Sequence, residues 1–172
     1  MVTLKEIQAA STSEIQQLAN NPLIAQNLKD VFPHPYALAN AEEFLALAKQ
    51  GVLGHVFGIF VDDTFIGVCR VVPQGDIYRN NAEIGYWIGQ PYWGKGYATA
   101  TVNLLTAFAF NELKVLRIFA GVFGSNKASM RVLEKAGYTL EAVLKSAIVK
   151  NGVVLDEYLY RVFNPDLQKT WA

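Results

Sequence analysis

The sequence predicts an α+β domain in which helices come first and a mostly antiparallel sheet follows, interrupted by one parallel strand pair joined through a crossover helix. Three observations predict it. Apolar spacing changes from a helical to a strand pattern near Gly54; a strand-loop-helix-strand unit occupies Ala82 to Phe123; and Asn151-Gly152, a strong two-residue hairpin signal, separates two apolar runs.

Taken in order, Ser13 is placed to cap a short helix ending near Asn20, and Pro22 to open a second, since proline is tolerated at a first helical position. Two prolines one residue apart in Asp30-Val31-Phe32-Pro33-His34-Pro35-Tyr36 forbid helix and force an extended connector. Asn40 to Gln50 places apolar residues at Phe44, Leu45, Leu47 and Ala48 and meets Gly51, a helix with a glycine stop. His55 to Val61 and Thr64 to Val72 flank Asp62-Asp63 and read as a hairpin, to which Ala82 to Gly89 adds a third antiparallel strand. A long helix from Tyr97 to Leu113 then leads to a strand from Arg117 to Phe123, parallel to its predecessor by a right-handed crossover. Gly124-Ser125-Asn126 caps a helix reaching Ala136, Gly137 ends it, and strands Tyr138 to Val149 and Val153 to Phe163 close the order.

The 172 residues, 52% of them hydrophobic, suffice for one packed domain spanning 1–172, and 15 basic against 15 acidic residues exclude a disordered tail. Balanced charge also disfavours nucleic acid, which is bound through a basic face. No run reaches the apolar length of a membrane span, and no signal peptide is visible at Met1 to Glu6, so a cytoplasmic protein is expected. A single cysteine, Cys69, forms no internal disulfide and reads as a buried strand thiol. With His34 and His55 it offers no metal-ligand spacing, so no metal is expected. Monomer and homodimer both remain open.

Chemistry concentrates where Gly94 and Gly96 sit between a strand and the long helix. A helix start carries unpaired N–H groups and partial positive charge, and glycines admit a phosphate close to the backbone. A Walker loop places Lys after its last glycine, whereas Lys95 lies between the two; a dinucleotide fingerprint needs a third glycine where Thr99 stands and an acidic residue where Phe123 stands. Trp93-Gly94-Lys95-Gly96-Tyr97-Ala98 instead resembles the Q/R-x-x-G-x-G/A loop of the Gcn5-related N-acetyltransferases (GNAT), in the branch of the RimJ and RimL ribosomal-protein N-terminal acetyltransferases. Ala82-Glu83-Ile84-Gly85-Tyr86-Trp87-Ile88 before it, Asn126-x-x-Ser129-x-x-Val132-Leu133-Glu134-Lys135-Ala136-Gly137-Tyr138 after it and Phe32-Pro33-x-Pro35-Tyr36 early on extend the resemblance over nearly the whole chain.

The resemblance implies a GNAT fold with helices on both sheet faces, acetyl-coenzyme A as co-substrate, and transfer to an amine on a small molecule or a protein N-terminus without a covalent enzyme intermediate. It implies that Gly94, Lys95, Gly96, Tyr97, Ala98 and Thr99 hold the pyrophosphate, that the Trp87-Ile88 backbone polarises the thioester, and that Asn126 binds the pantetheine arm. Glu83 becomes the expected general base and Ser129 the contact to the coenzyme sulfur, while Phe32, His34 and Tyr36 are expected to line the amine side. Leu133 replaces a tyrosine that many members use to protonate the thiolate, and Ile148 replaces a glutamate of RimL-like proteins. Those two departures keep a second expectation alive, a catalytically silent acyl-CoA-binding or sensory module.

Overall fold

The computed structural model describes residues 1–166. Five α-helices, α1 (Thr12–Ala19), α2 (Pro22–Ala25), α3 (Leu38–Lys49), α4 (Tyr97–Asn111) and α5 (Lys127–Lys135), accompany seven strands. These are β1 (Val2–Glu6), β2 (His55–Val61), β3 (Thr64–Pro73), β4 (Asn81–Ile88), β5 (Arg117–Phe123), β6 (Thr139–Lys150) and β7 (Val153–Phe163). They form one sheet in the order β1-β2-β3-β4-β5-β7-β6, with β4 and β5 parallel and β5-β7 and β6-β7 antiparallel. The α+β class and the single parallel pair therefore stand as expected.

Two elements differ from expectation. β1 pairs antiparallel with β2, Val2 opposite Val61, in a stretch where only Val2 and Leu4 are apolar before the charged Lys5-Glu6. An edge strand that short leaves too little alternation to read. The cap of α1 is Ser11 rather than Ser13, because Glu14 stands three residues after Ser11 and closes a capping box. Ser11 Oγ accepts the Glu14 N–H at 3.2 Å, and the Glu14 carboxylate accepts the Ser11 N–H at 2.9 Å. The Ser11 N–H and, at 2.7 Å, the Ser11 hydroxyl both donate to that carboxylate and hold it below its ordinary value.

The chain divides into two compact units. The first, Met1–Arg70 with Tyr86–Thr101, packs Ile15 and Ala19 of α1 and Ala41 of α3 with Val56, Phe60, Phe65 and Val68 of β2 and β3. The second, Val71–Gly85 with the described residues from Val102 to Asp166, buries Ile118, Ala120 and Val122 of β5 on one sheet face together with Tyr160 of β7. Cys69 is buried in β3, and burial pushes its thiol well above the ordinary range. Burial likewise pushes the Tyr36 phenol up to about 12, and burial with a hydrogen bond to Glu134 does the same for Tyr160. Both phenols favour the folded state while protonated, so their contribution is complete below pH ~10 and is lost as pH rises through about 12. A titration followed by phenolate absorbance should show these two lagging the exposed tyrosines, and replacing both by Phe should remove the lag.

Candidate active site

In the first unit β4 ends at Ile88, a 3-10 turn spans Gln90–Tyr92, and Trp93-Gly94-Lys95-Gly96 leads into α4. Gly94 and Gly96 have φ of +75° and +78°, the left-handed region that side chains rarely adopt, and nothing lies within 4 Å of where either Cβ would be. Backbone handedness, not crowding, requires glycine here, and the space above the turn is open. Gly96 has no side chain to cap the helix. The Ala100 N–H bonds the Gly96 carbonyl at 3.1 Å, and the N–H groups of Tyr97, Ala98 and Thr99 precede that bond and have no acceptor within the helix. Together with the helix dipole they make a surface for an anion. Lys95 is exposed, its Nζ 5.7 Å from the Tyr92 ring centroid.

The strand end is fastened to this turn. Trp93 Nε1 donates to the Ile88 carbonyl at 2.6 Å, while the Gly89 N–H goes to the Ile66 carbonyl at 2.8 Å. A tryptophan at this loop position thus does something specific: its indole N–H fixes the last peptide of β4 relative to the glycines. The close backbone approach to this strand end falls at Gly67 on β3. A Cβ there would collide with the Trp87 carbonyl oxygen and lie 2.9 Å from Ile88 Cα. Gly89 instead makes room for Leu18, whose Cδ2 would lie 2.9 Å from a Cβ.

Side chains of the expected amine-side group divide. Phe32 packs against Tyr36 at 4.9 Å and Trp87 at 6.0 Å between ring centroids, and Trp87 meets Phe65 edge-on at 6.4 Å. Tyr36 is buried in that core, so its ring serves packing; His34 is exposed.

In the second unit Glu83 lies opposite Phe119 in a parallel register that takes in Asn81–Glu83 and Arg117–Phe119. Its side chain is half-buried. Asn126 caps α5, its Oδ1 accepting the Ser129 N–H at 3.1 Å, which leaves its Nδ2 to donate elsewhere. Ser129, on the first turn of α5, is half-buried, and Leu133 one turn on is fully buried. The position at which many members of the resembled family carry a tyrosine is therefore core, and Ser129 places a hydroxyl on the same stripe.

A family model described as an acetyltransferase (GNAT) domain matches residues 2–139. The chain belongs to the GNAT acetyltransferase family. This GNAT chain is 41% identical over 112 residues to the probable N-acetyltransferase YjcK of Bacillus subtilis, covering 64% of this chain and 62% of the relative, so the match spans about three fifths of YjcK. It is 26% identical over 167 residues to the ribosomal-protein-serine acetyltransferase of Escherichia coli, 90% of each chain. The structure of Mycobacterium smegmatis RimJ in complex with CoA-disulfide matches the fold with a TM-score of 0.84 at 22% identity, covering 96% of this chain and 83% of that one. Among the described residues no group of three or more His, Cys, Asp or Glu is placed to hold a metal ion, and no helix is long and apolar enough to cross a membrane.

Proposed function

We propose that this GNAT chain is an acetyl-CoA-dependent N-acetyltransferase that moves the acetyl group directly to a primary amine, on a protein N-terminus or a small molecule. The observation that carries the reading is the pair of left-handed glycines, with open space above them, ahead of α4, whose first amides have no acceptor within the helix. A pyrophosphate supplies the negative charge and acceptor oxygens that such a turn is built to receive. Kinship with an E. coli ribosomal-protein-serine acetyltransferase supports an amine acceptor.

Each step then falls to a group of this chain. An amine attacks only when neutral, so Glu83 takes its proton as the nitrogen bonds the thioester carbon. The backbone at Trp87-Ile88 stabilises the oxyanion that forms, and the Trp93 bond to the Ile88 carbonyl holds the adjoining Ile88–Gly89 peptide in place. Collapse breaks the carbon–sulfur bond, and the Ser129 hydroxyl donates a hydrogen bond to the departing thiolate, with Asn126 Nδ2 on the pantetheine arm.

Direct attack has a mass-spectrometric test. Protein incubated with acetyl-CoA alone should keep its mass, and coenzyme A should be released only when an amine is added; a stoichiometric acetylated enzyme formed before any amine would contradict it. Replacing Trp93 by Phe keeps the ring and removes one hydrogen bond. It should cost about 1 kcal/mol of stability in a denaturant titration and raise the KM for acetyl-CoA severalfold. An unchanged KM would detach the indole from the coenzyme turn.

A further inference from the structure

We infer that Glu157 reads the charge of the acceptor, favouring an amine that carries a second positive group; this rests on the transferase reading above. The β5-β7 register sets Glu157 opposite Phe123 and Leu159 opposite Gly121, and the parallel register sets Glu83 beside Phe119. Side chains alternate along a strand, so Glu83, Phe119, Gly121, Phe123 and Glu157 share one sheet face, while Ile118, Ala120 and Val122 are buried on the other. Glu157 stands on the face of the proposed base.

Gly121 explains how it gets close. This glycine sits in mid-strand with no left-handed φ, so its conformation does not require glycine. Its missing Cβ does: a Cβ at 121 would collide with Glu157 Oε1 and lie 3.1 Å from Cδ. The carboxylate therefore leans over β5 at Gly121, which is one strand across and two residues along from Glu83, roughly 8 Å between those Cα positions by strand geometry.

Stability does not account for Glu157. It is half-buried, flanked across its strand by Phe123 and Leu144, and its carboxylate makes no side-chain hydrogen bond or ion pair with any described residue. The two arginines of this face turn to other partners: Arg117 to Asn81 Oδ1 and the Glu141 carboxylate, and Arg161, whose Nε makes no hydrogen bond, to Glu141 Oε1 at 3.9 Å. A half-buried carboxylate without a cation is a cost the fold would avoid unless a cation arrives from outside. A primary amine carrying a second ammonium supplies one while its neutral nitrogen reacts at Glu83.

The test uses matched acceptors: butylamine against 1,4-diaminobutane, and a peptide beginning Ser-Gly against one beginning Ser-Lys, with kcat/KM from thiol release. The wild-type protein should prefer the dicationic member of at least one pair. Glu157→Gln should reduce that preference about tenfold, through the KM of the dicationic acceptor. Gly121→Ala, which pushes the carboxylate aside, should reduce it in the same direction and supplies the answer if Glu157→Gln fails to fold. A wild-type preference that survives in the folded variants, or no preference in either pair while transfer proceeds, would overturn the assignment and leave the transferase reading intact. Absence of transfer to every amine would remove both.

Discussion

Glu83→Gln is expected to lower kcat for amine acetylation about 10²-fold, with little change in the dissociation constant for acetyl-CoA. Glutamine keeps the size and a hydrogen-bonding head at a half-buried position, so the fold survives and the loss reports the proton acceptor. A lysine-like or α-amino nitrogen is largely protonated near pH 7. Without Glu83 the reaction depends on amine already neutral in solution, and the variant's rate should keep rising with pH toward the amine's own pKa after the wild-type rate has levelled. A variant with a wild-type pH profile would take Glu83 out of the proton path. Equal losses in kcat and coenzyme affinity would make it a structural carboxylate.

The second large effect is expected at Gly96→Ala. At φ +78° an alanine pays for the left-handed backbone, about 1–2 kcal/mol, but nothing stands within 4 Å of its Cβ in the empty turn. For a chain of this size that corresponds to a Tm lowered by roughly 2–8 °C. A phosphate lying against the same amides would meet the new methyl group, so the Kd for coenzyme A should rise about 10²-fold, near 2.7 kcal/mol. The second penalty exceeds the first only if the turn is a ligand surface. A folded variant with unchanged Kd would reduce Gly96 to a turn residue.

How much could be read beforehand follows from where the deciding interactions lie along the chain. β4, the glycine turn, α4 and β5 were legible because each rests on local chemistry: alternating apolar residues, a pair of glycines, and fifteen helical residues without a breaker. The same holds at Asn151-Gly152, whose two positive φ angles of 51° and 76° make the hairpin. β1 was not legible, since its partner β2 lies some fifty residues on. Nor was the irregularity in β6 between Leu144 and Ile148. There Ser146 takes φ +54° and its N–H donates to Asp156 Oδ1 at 2.9 Å, an arrangement set by a residue of another strand.

The site divides in the same way. Gly94, Gly96 and the cap of α5 by Asn126 announce themselves through residue type and spacing. Gly67 and Gly121 do not. Both are strand glycines with ordinary backbone angles, and each is explained only by what crosses it: the Trp87-Ile88 backbone over Gly67, the Glu157 carboxylate over Gly121. Register across three strands decides whether Glu83 and Glu157 share a face, and a one-residue slip would place them on opposite sides. Leu133 illustrates the reverse case, a position whose family role suggested chemistry and whose burial assigns it to the core.

The most direct measurement is free-thiol release from acetyl-CoA across a panel of primary amines, with the products weighed by mass spectrometry. The account predicts release that depends on amine, with one acetyl group appearing on the amine for each thiol freed and none on the protein. If coenzyme A raises the melting temperature but no amine, peptide N-terminus or diamine accelerates thiol release, the chain binds the coenzyme without using it and the account is contradicted.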